Sequence, residues 1–146
     1  MVIAIIFVIH WYLSLFFQTI FLHRYASHQM FTMSKFWEKV FFFLTFLVQG
    51  SSFLNPRAYA ILHRLHHKHS DTEKDPHSPK FSKNIIMLNI NTVKHYESVR
   101  RDKKDYSKYD YNVPRWESLE KFSDHWITRV FFIAFYTLVY VTYSTS

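Results

Sequence analysis

The sequence predicts an all-α fold, an integral-membrane helical stem with a cytoplasmic helical cap, and three observations carry that expectation. Residues 1–22 and 130–146 contain no Asp, Glu, Lys or Arg, so all 18 basic and all 11 acidic residues lie between Arg24 and Arg129. An uncharged apolar run of about 20 residues crosses a hydrocarbon core of about 30 Å as a helix. The stretch between the two apolar ends carries the whole net charge of +7, and an excess of Lys and Arg marks the cytoplasmic side. Within it, His63, His66 and His67 stand at positions i, i+3 and i+4, which share one face of a helix.

Each element follows in order. Val2–Leu22 is expected to be a transmembrane helix. A cleaved leader fits less well, because the start is not basic and no small-x-small site precedes His23. His23–His28 leave the span, and Gln29–Lys35 form a polar link. Phe36–Leu54 is apolar at its centre, about Val40–Val48, before Gln49, Gly50, Ser51 and Ser52 interrupt it. If this segment crossed the membrane, residues 63–67 would end on the opposite side from His23 and His28. An in-plane or re-entrant helix over 36–54 is therefore expected, ended by Asn55-Pro56. Arg57–His69 has helix-compatible composition, and Ser70–Pro79 is a polar turn region. Phe81–Asn91 is too mixed in pattern to assign. Thr92–Lys104 is expected as a surface helix, Asp105–Pro114 as a loop and Trp116–Trp126 as a helix feeding the last span. Ile127–Tyr143 is the second expected span, with Trp126 and Tyr143 at its interfaces.

Composition removes several function classes. The chain has no cysteine, which excludes disulfides, thiolate zinc sites and cysteine-held iron–sulfur clusters. Its basic residues alternate with acids and are bracketed by the two spans, a distribution that argues against nucleic-acid binding.

The chemistry lies in the histidines. On a helix, His63, His66 and His67 would direct three nitrogens at one spot. His23 and His28 are five apart, about 1.4 turns of α-helix. Imidazole suits iron, zinc, copper and nickel, and neutral imidazoles gather around a cation with little mutual repulsion. His10 lies 13 residues before His23, about 20 Å along a helix, too far to share its metal; it is expected to pack near Trp11. His95 and His125 are expected at the surface or interface, and Phe41–Phe46 as core or lipid contact rather than an acyl tunnel.

The motif His23-Arg24-Tyr25-Ala26-Ser27-His28 resembles the first histidine box, H-x4-H, of membrane fatty-acid desaturases. His63-Arg64-Leu65-His66-His67, followed by Asp75-Pro76-His77, resembles their second box, H-R-x-H-H, with the D-P-H tail of acyl-CoA desaturases. The resemblance has motif quality over roughly residues 10–80. It implies a non-haem centre of two iron ions held by histidine, here His23, His28, His63, His66 and His67. In that family the irons use O2 and two electrons to remove hydrogens from adjacent methylenes of an acyl chain. The electrons come from a ferredoxin or a cytochrome b5-type protein, and the substrate is an acyl-CoA or acyl-lipid in the membrane. Asp71, Asp75 and His77 are expected to hydrogen-bond ligand imidazoles, while His69 supports the site. Arg57, Arg64 and Lys68 are candidates for the phosphates of an acyl-CoA or lipid head group, or equally for a membrane anchor.

The chain departs from the family pattern in carrying no third box, H/Q-x2-H-H; His66-His67 is its one adjacent His pair. One span precedes box one where the family has two. The expectation is an incomplete, N-terminal portion of a desaturase domain, inactive by itself. The alternatives are a membrane hydroxylase using similar boxes and a non-catalytic metal-binding fragment.

Overall fold

A computed structural model describes residues 1–144, and among them every regular element is helical. The elements are α1 (Val2–Phe17), continued by π-helical turns over Gln18–Ser27, then α2 (Lys35–Gln49), α3 (Pro56–His69), α4 (Ile85–Arg100), α5 (Glu117–Asp124) and α6 (Trp126–Ser144). Two helical stretches are long and apolar enough to cross a membrane, Val2–Ser27 and Trp126–Tyr143. Most of their apolar side chains are exposed, as expected of helices whose outer surface meets lipid rather than a protein core.

The chain divides into two compact units. The first comprises Met1–Phe21, Met33–Leu54 and the chain from Arg115 onward. Ser34 starts α2 by accepting a hydrogen bond from the Trp37 N–H, the usual N-cap arrangement. One face of α2 turns Glu38, Phe42, Thr45, Phe46 and Gln49 inward, at helical spacing. Phe42 meets Phe21 and Trp116, and Phe46 meets Phe53, Phe122 and Phe132, with ring centroids between 5.4 and 6.1 Å. Such edge-to-face contacts let many phenyl rings fill one core. Gly50 ends α2 with φ +53°. A Cβ there would lie 3.0 Å from Phe132 Cδ1 and would collide with the Tyr136 hydroxyl, so both conformation and space call for glycine. His10 packs edge-on against Tyr136, ring centroids 5.4 Å apart, while the Trp11 ring lies beside Phe7 and Tyr12.

The second unit comprises Leu22–Thr32 and Asn55–Pro114. Asn55 caps α3 through its side-chain oxygen, which accepts from the Ala58 N–H at 3.0 Å. Pro56 occupies the first turn, where its missing N–H is not needed. Ala58 and Ile61 of α3 bury against Val99 of α4, with Leu62, Leu65, Tyr96, Tyr106 and Tyr109 around them. The Tyr96 hydroxyl also accepts the Asn55 N–H at 2.7 Å. The start of α4 at Ile85, earlier than Thr92, resolves the segment that the sequence pattern left unassigned. Asn84 caps it, accepting from the Met87 N–H at 2.8 Å. The segment Asp105–Pro114 is irregular as expected, apart from one short helical turn at Ser107–Tyr109.

Candidate metal centre

Box one lies on the π-helical turns. In an α-helix, residues five apart diverge by about 140° around the axis, so H-x4-H would split its two imidazoles. An i→i+5 ladder instead places them roughly one above the other. The His28 N–H donates to the His23 carbonyl at 3.0 Å, and the Ser27 hydroxyl donates to the Leu22 carbonyl at 2.7 Å. The His23 and His28 rings consequently stand 4.6 Å apart, centroid to centroid.

Box two lies on α3. His63 and His67, one α-helical turn apart, bring their Nε2 atoms to 3.0 Å. His63 Nε2 is also 2.9 Å from His28 Nε2, and the His23 and His63 rings are 4.6 Å apart. His23, His28, His63 and His67 thus present one nitrogen each within 4.8 Å of one another. Nitrogens about 2.1 Å from a common ion stand about 3–4 Å apart, so this set fits a single metal ion. Tyr59, one turn earlier on α3, stacks on the His63 ring at 5.9 Å with the planes 9° apart.

Electrostatics disfavour the protonated form of two of these imidazoles. Burial, then the neighbouring His23, His67, His28 and His66, push the His63 imidazolium pKa down to about 3. Burial, then His23, His67 and Arg64, lower that of His28. Both rings are therefore neutral at physiological pH, and a metal need not displace a proton from them.

His66 does not join the four, which corrects the expectation of three nitrogens at one spot. Successive residues of a helix diverge by about 100°, so His66 and His67 leave His63 on opposite sides. His66 turns its Nδ1 to Asp75, 2.9 Å from Oδ1 and 3.0 Å from Oδ2. Asp75 is buried and is itself held by the His77 N–H at 2.9 Å and the Asp71 N–H at 3.3 Å. Burial raises the Asp75 pKa, but hydrogen bonds from His66, His77 and Asp71 outweigh it, and the carboxyl titrates below its ordinary range. A carboxylate at Nδ1 fixes the tautomer with the proton there and leaves Nε2 as a free donor to a metal. Of the three residues expected to brace the ligands, only Asp75 does so with its side chain. Asp71 contributes a backbone N–H, and the His77 ring instead meets Thr92 Oγ1 at 2.9 Å.

Two of the three cations expected at a substrate head group have other partners. Arg64 is buried and donates to the carbonyls of Ser27, Ala26, Tyr109 and Tyr111 at 2.6–2.9 Å. Its guanidinium also lies over the Tyr111 ring at 4.1 Å. It thereby ties the end of box one to the middle of box two. Arg57 pairs with Asp110 at 2.7 Å and Asp102 at 2.6 Å. Lys68 is exposed.

The Fatty acid desaturase family model matches residues 1–145. The chain belongs to this family. It is 36% identical over 58 residues to the Delta-9 desaturase-like 5 protein of Arabidopsis thaliana, a match covering 39% of this chain and 18% of that protein. It is 37% identical over 59 residues to the Delta-9 desaturase-like 4 protein of the same plant, covering 40% and 18%. A third Arabidopsis thaliana protein, named "Probable lipid desaturase ADS3.2, chloroplastic", is 41% identical over 58 residues, covering 39% and 15%. The matched stretch thus spans less than a fifth of each of these relatives. No solved structure matches the chain.

In this family member several supporting groups escaped the sequence reading. Tyr59 was detectable as the residue four before His63, on the same face of α3. Thr92 and the Tyr109 and Tyr111 carbonyls were not, because only tertiary folding brings them to His77 and Arg64. His69, His95 and His125 stand outside the four-histidine group. His95 Nδ1 turns to the Asn91 carbonyl of its own helix at 2.9 Å, and His125 stacks on Trp126.

Proposed function

We propose that these residues form the larger part of a histidine-ligated di-iron centre in an oxygen-dependent acyl desaturase. The convergence of four imidazole nitrogens from two boxes within 4.8 Å carries the reading. His23, His28, His63 and His67 would hold one ion, and His66, oriented by Asp75, would serve a second. Two irons bound there would supply the oxygen-dependent two-electron oxidation that an unactivated pair of methylenes requires. The chain's own residues do the positioning. Arg64 keeps the boxes in register, Asp75 keeps the His66 lone pair outward, and the low basicity of His63 and His28 keeps protons off the ligands. The substrate class is an acyl-CoA or acyl-lipid, with exposed Lys68 as the remaining candidate for its phosphate among the three cations. A ferredoxin or a cytochrome b5-type protein is the proposed electron donor.

The proposed arrangement has spans at Val2–Leu22 and Ile127–Tyr143 and an in-plane or re-entrant segment over 36–54, with both boxes on the cytoplasmic side. The length of α2 supports the in-plane assignment: its 15 residues extend about 22 Å, short of a hydrocarbon core of about 30 Å. The basic residues between the spans support the cytoplasmic side.

Five imidazoles are too few to complete two irons, so residues 1–146 alone should bind metal but introduce no double bond. Iron-loaded protein with reductant, each donor and acyl-CoA or acyl-lipid tests this by product analysis. Supplying the missing ligands on additional sequence should give an alkene; a hydroxylated chain would identify a hydroxylase instead. In that complete protein, His66→Ala should abolish turnover and leave membrane insertion intact, while His95→Ala should retain most activity. Equal behaviour of the two variants would overturn the role assignment.

A further inference from the structure

Helix α4 has two apolar faces. Val99 is fully buried against α3, and Leu88 and Thr92 lie on the same side. Ile86, Ile90 and Val93 project about 150° away from that side, and they are 68%, 42% and 59% exposed. Ile85 at the start of the helix and Phe81 just before it are also exposed, at 73% and 48%. Lone exposed aliphatics are ordinary, but a contiguous apolar stripe on a surface helix marks a contact. The charges around it are mainly basic. Lys80, Lys83 and Lys94 are exposed, and no Asp or Glu occurs from His77 to Tyr96; Glu97, one turn beyond Val93 on the same face, is paired with Arg100 and Arg101.

We propose that this face of α4 is a third membrane contact, lying in the plane of an anionic lipid surface rather than spanning it. Apolar side chains of such a helix enter the boundary between head groups and acyl chains, and flanking lysines reach back to the phosphates. The charge pattern selects this occupant: a lysine-flanked stripe, whose acid Glu97 is paired with two arginines, complements anionic head groups. At 16 residues α4 is about 24 Å long, too short to cross the bilayer but suited to lie along it.

The absence of native cysteine permits a direct test. Cysteines placed singly at Ile86, Ile90 and Val93, and at Lys74 and His95 as controls, are labelled with an environment-sensitive fluorophore. The chain is reconstituted in phosphatidylcholine vesicles with and without phosphatidylglycerol. Labels on the stripe should shift to the blue and be quenched by nitroxides high on the lipid acyl chains, whereas the control labels should be quenched by aqueous iodide. All the substituted positions are exposed, so loss of fold is not expected, and circular dichroism checks it. Changing Lys80, Lys83 and Lys94 to Gln should weaken the lipid-bound state about five-fold per lysine in the anionic vesicles only. Iodide access equal at stripe and control sites would overturn the proposal. So would iodide protection that depends on protein density but not on the lipid quencher, since that would assign the face to a second copy of the chain.

Discussion

Asp75 and Arg64 shape the candidate centre without offering it a ligand. Asp75→Asn keeps an acceptor near His66 but removes the charge that fixes its proton on Nδ1. Metal affinity at the His66 position should fall about 10–100-fold, read by metal titration. Arg64 satisfies four carbonyls. Arg64→Met should destabilise the second unit by roughly 3 kcal/mol or more, since several buried acceptors lose their donor. Lys, with a single ammonium in place of the planar fork, should rescue only part of that; thermal melts of the three proteins give the comparison. The histidines also give the metal-free protein a pH dependence. His63 has an ordinary value of 6.5 and a folded value of about 3. Below the ordinary value the unfolded chain binds a proton that the folded chain refuses, so stability is full above about pH 6.5 and declines as pH falls toward 3. His28 is shifted in the same direction. Metal-stripped protein should therefore melt at lower temperature at about pH 5 than at about pH 7, and His63→Gln should remove much of the difference.

At the scale of elements, the turn at Gly50 offers the sharpest test of packing. Gly50→Ala adds a Cβ where φ is +53° and where the Phe132 and Tyr136 rings already close the space. The first unit should lose roughly 1–3 kcal/mol, seen as an earlier thermal transition of detergent-solubilised protein. The sequence made α3 legible nearly to the residue, because Asn55-Pro56 is a local start signal and the histidine spacing is helical. It left α4 half-hidden, since a helix with apolar residues on opposite faces shows no single-sided period. The winding of box one was equally obscure. Only its i, i+5 spacing hints at a π ladder, whereas an apolar span continues smoothly into it. The partnership of His66 with Asp75, nine residues away, depends on a turn whose geometry no periodicity encodes.

At the scale of the whole molecule, the separation of apolar ends from a basic middle was plain from composition, and two span-length helices occupy those ends. If both boxes face the cytoplasm, single cysteines at Ser27 and Ser70 should show matching accessibility to a membrane-impermeant reagent in intact cells. Labelling from opposite sides would remove the basis for the in-plane segment. Four imidazoles from the two boxes lie close enough to hold one metal ion. The most direct measurement is X-ray absorption on the chain loaded with iron(II), paired with metal content per chain. A tightly bound ion with about four imidazole ligands is expected, lost in His63→Ala and retained in His95→Ala. A chain that binds no metal, or binds it equally well without His63, would contradict it.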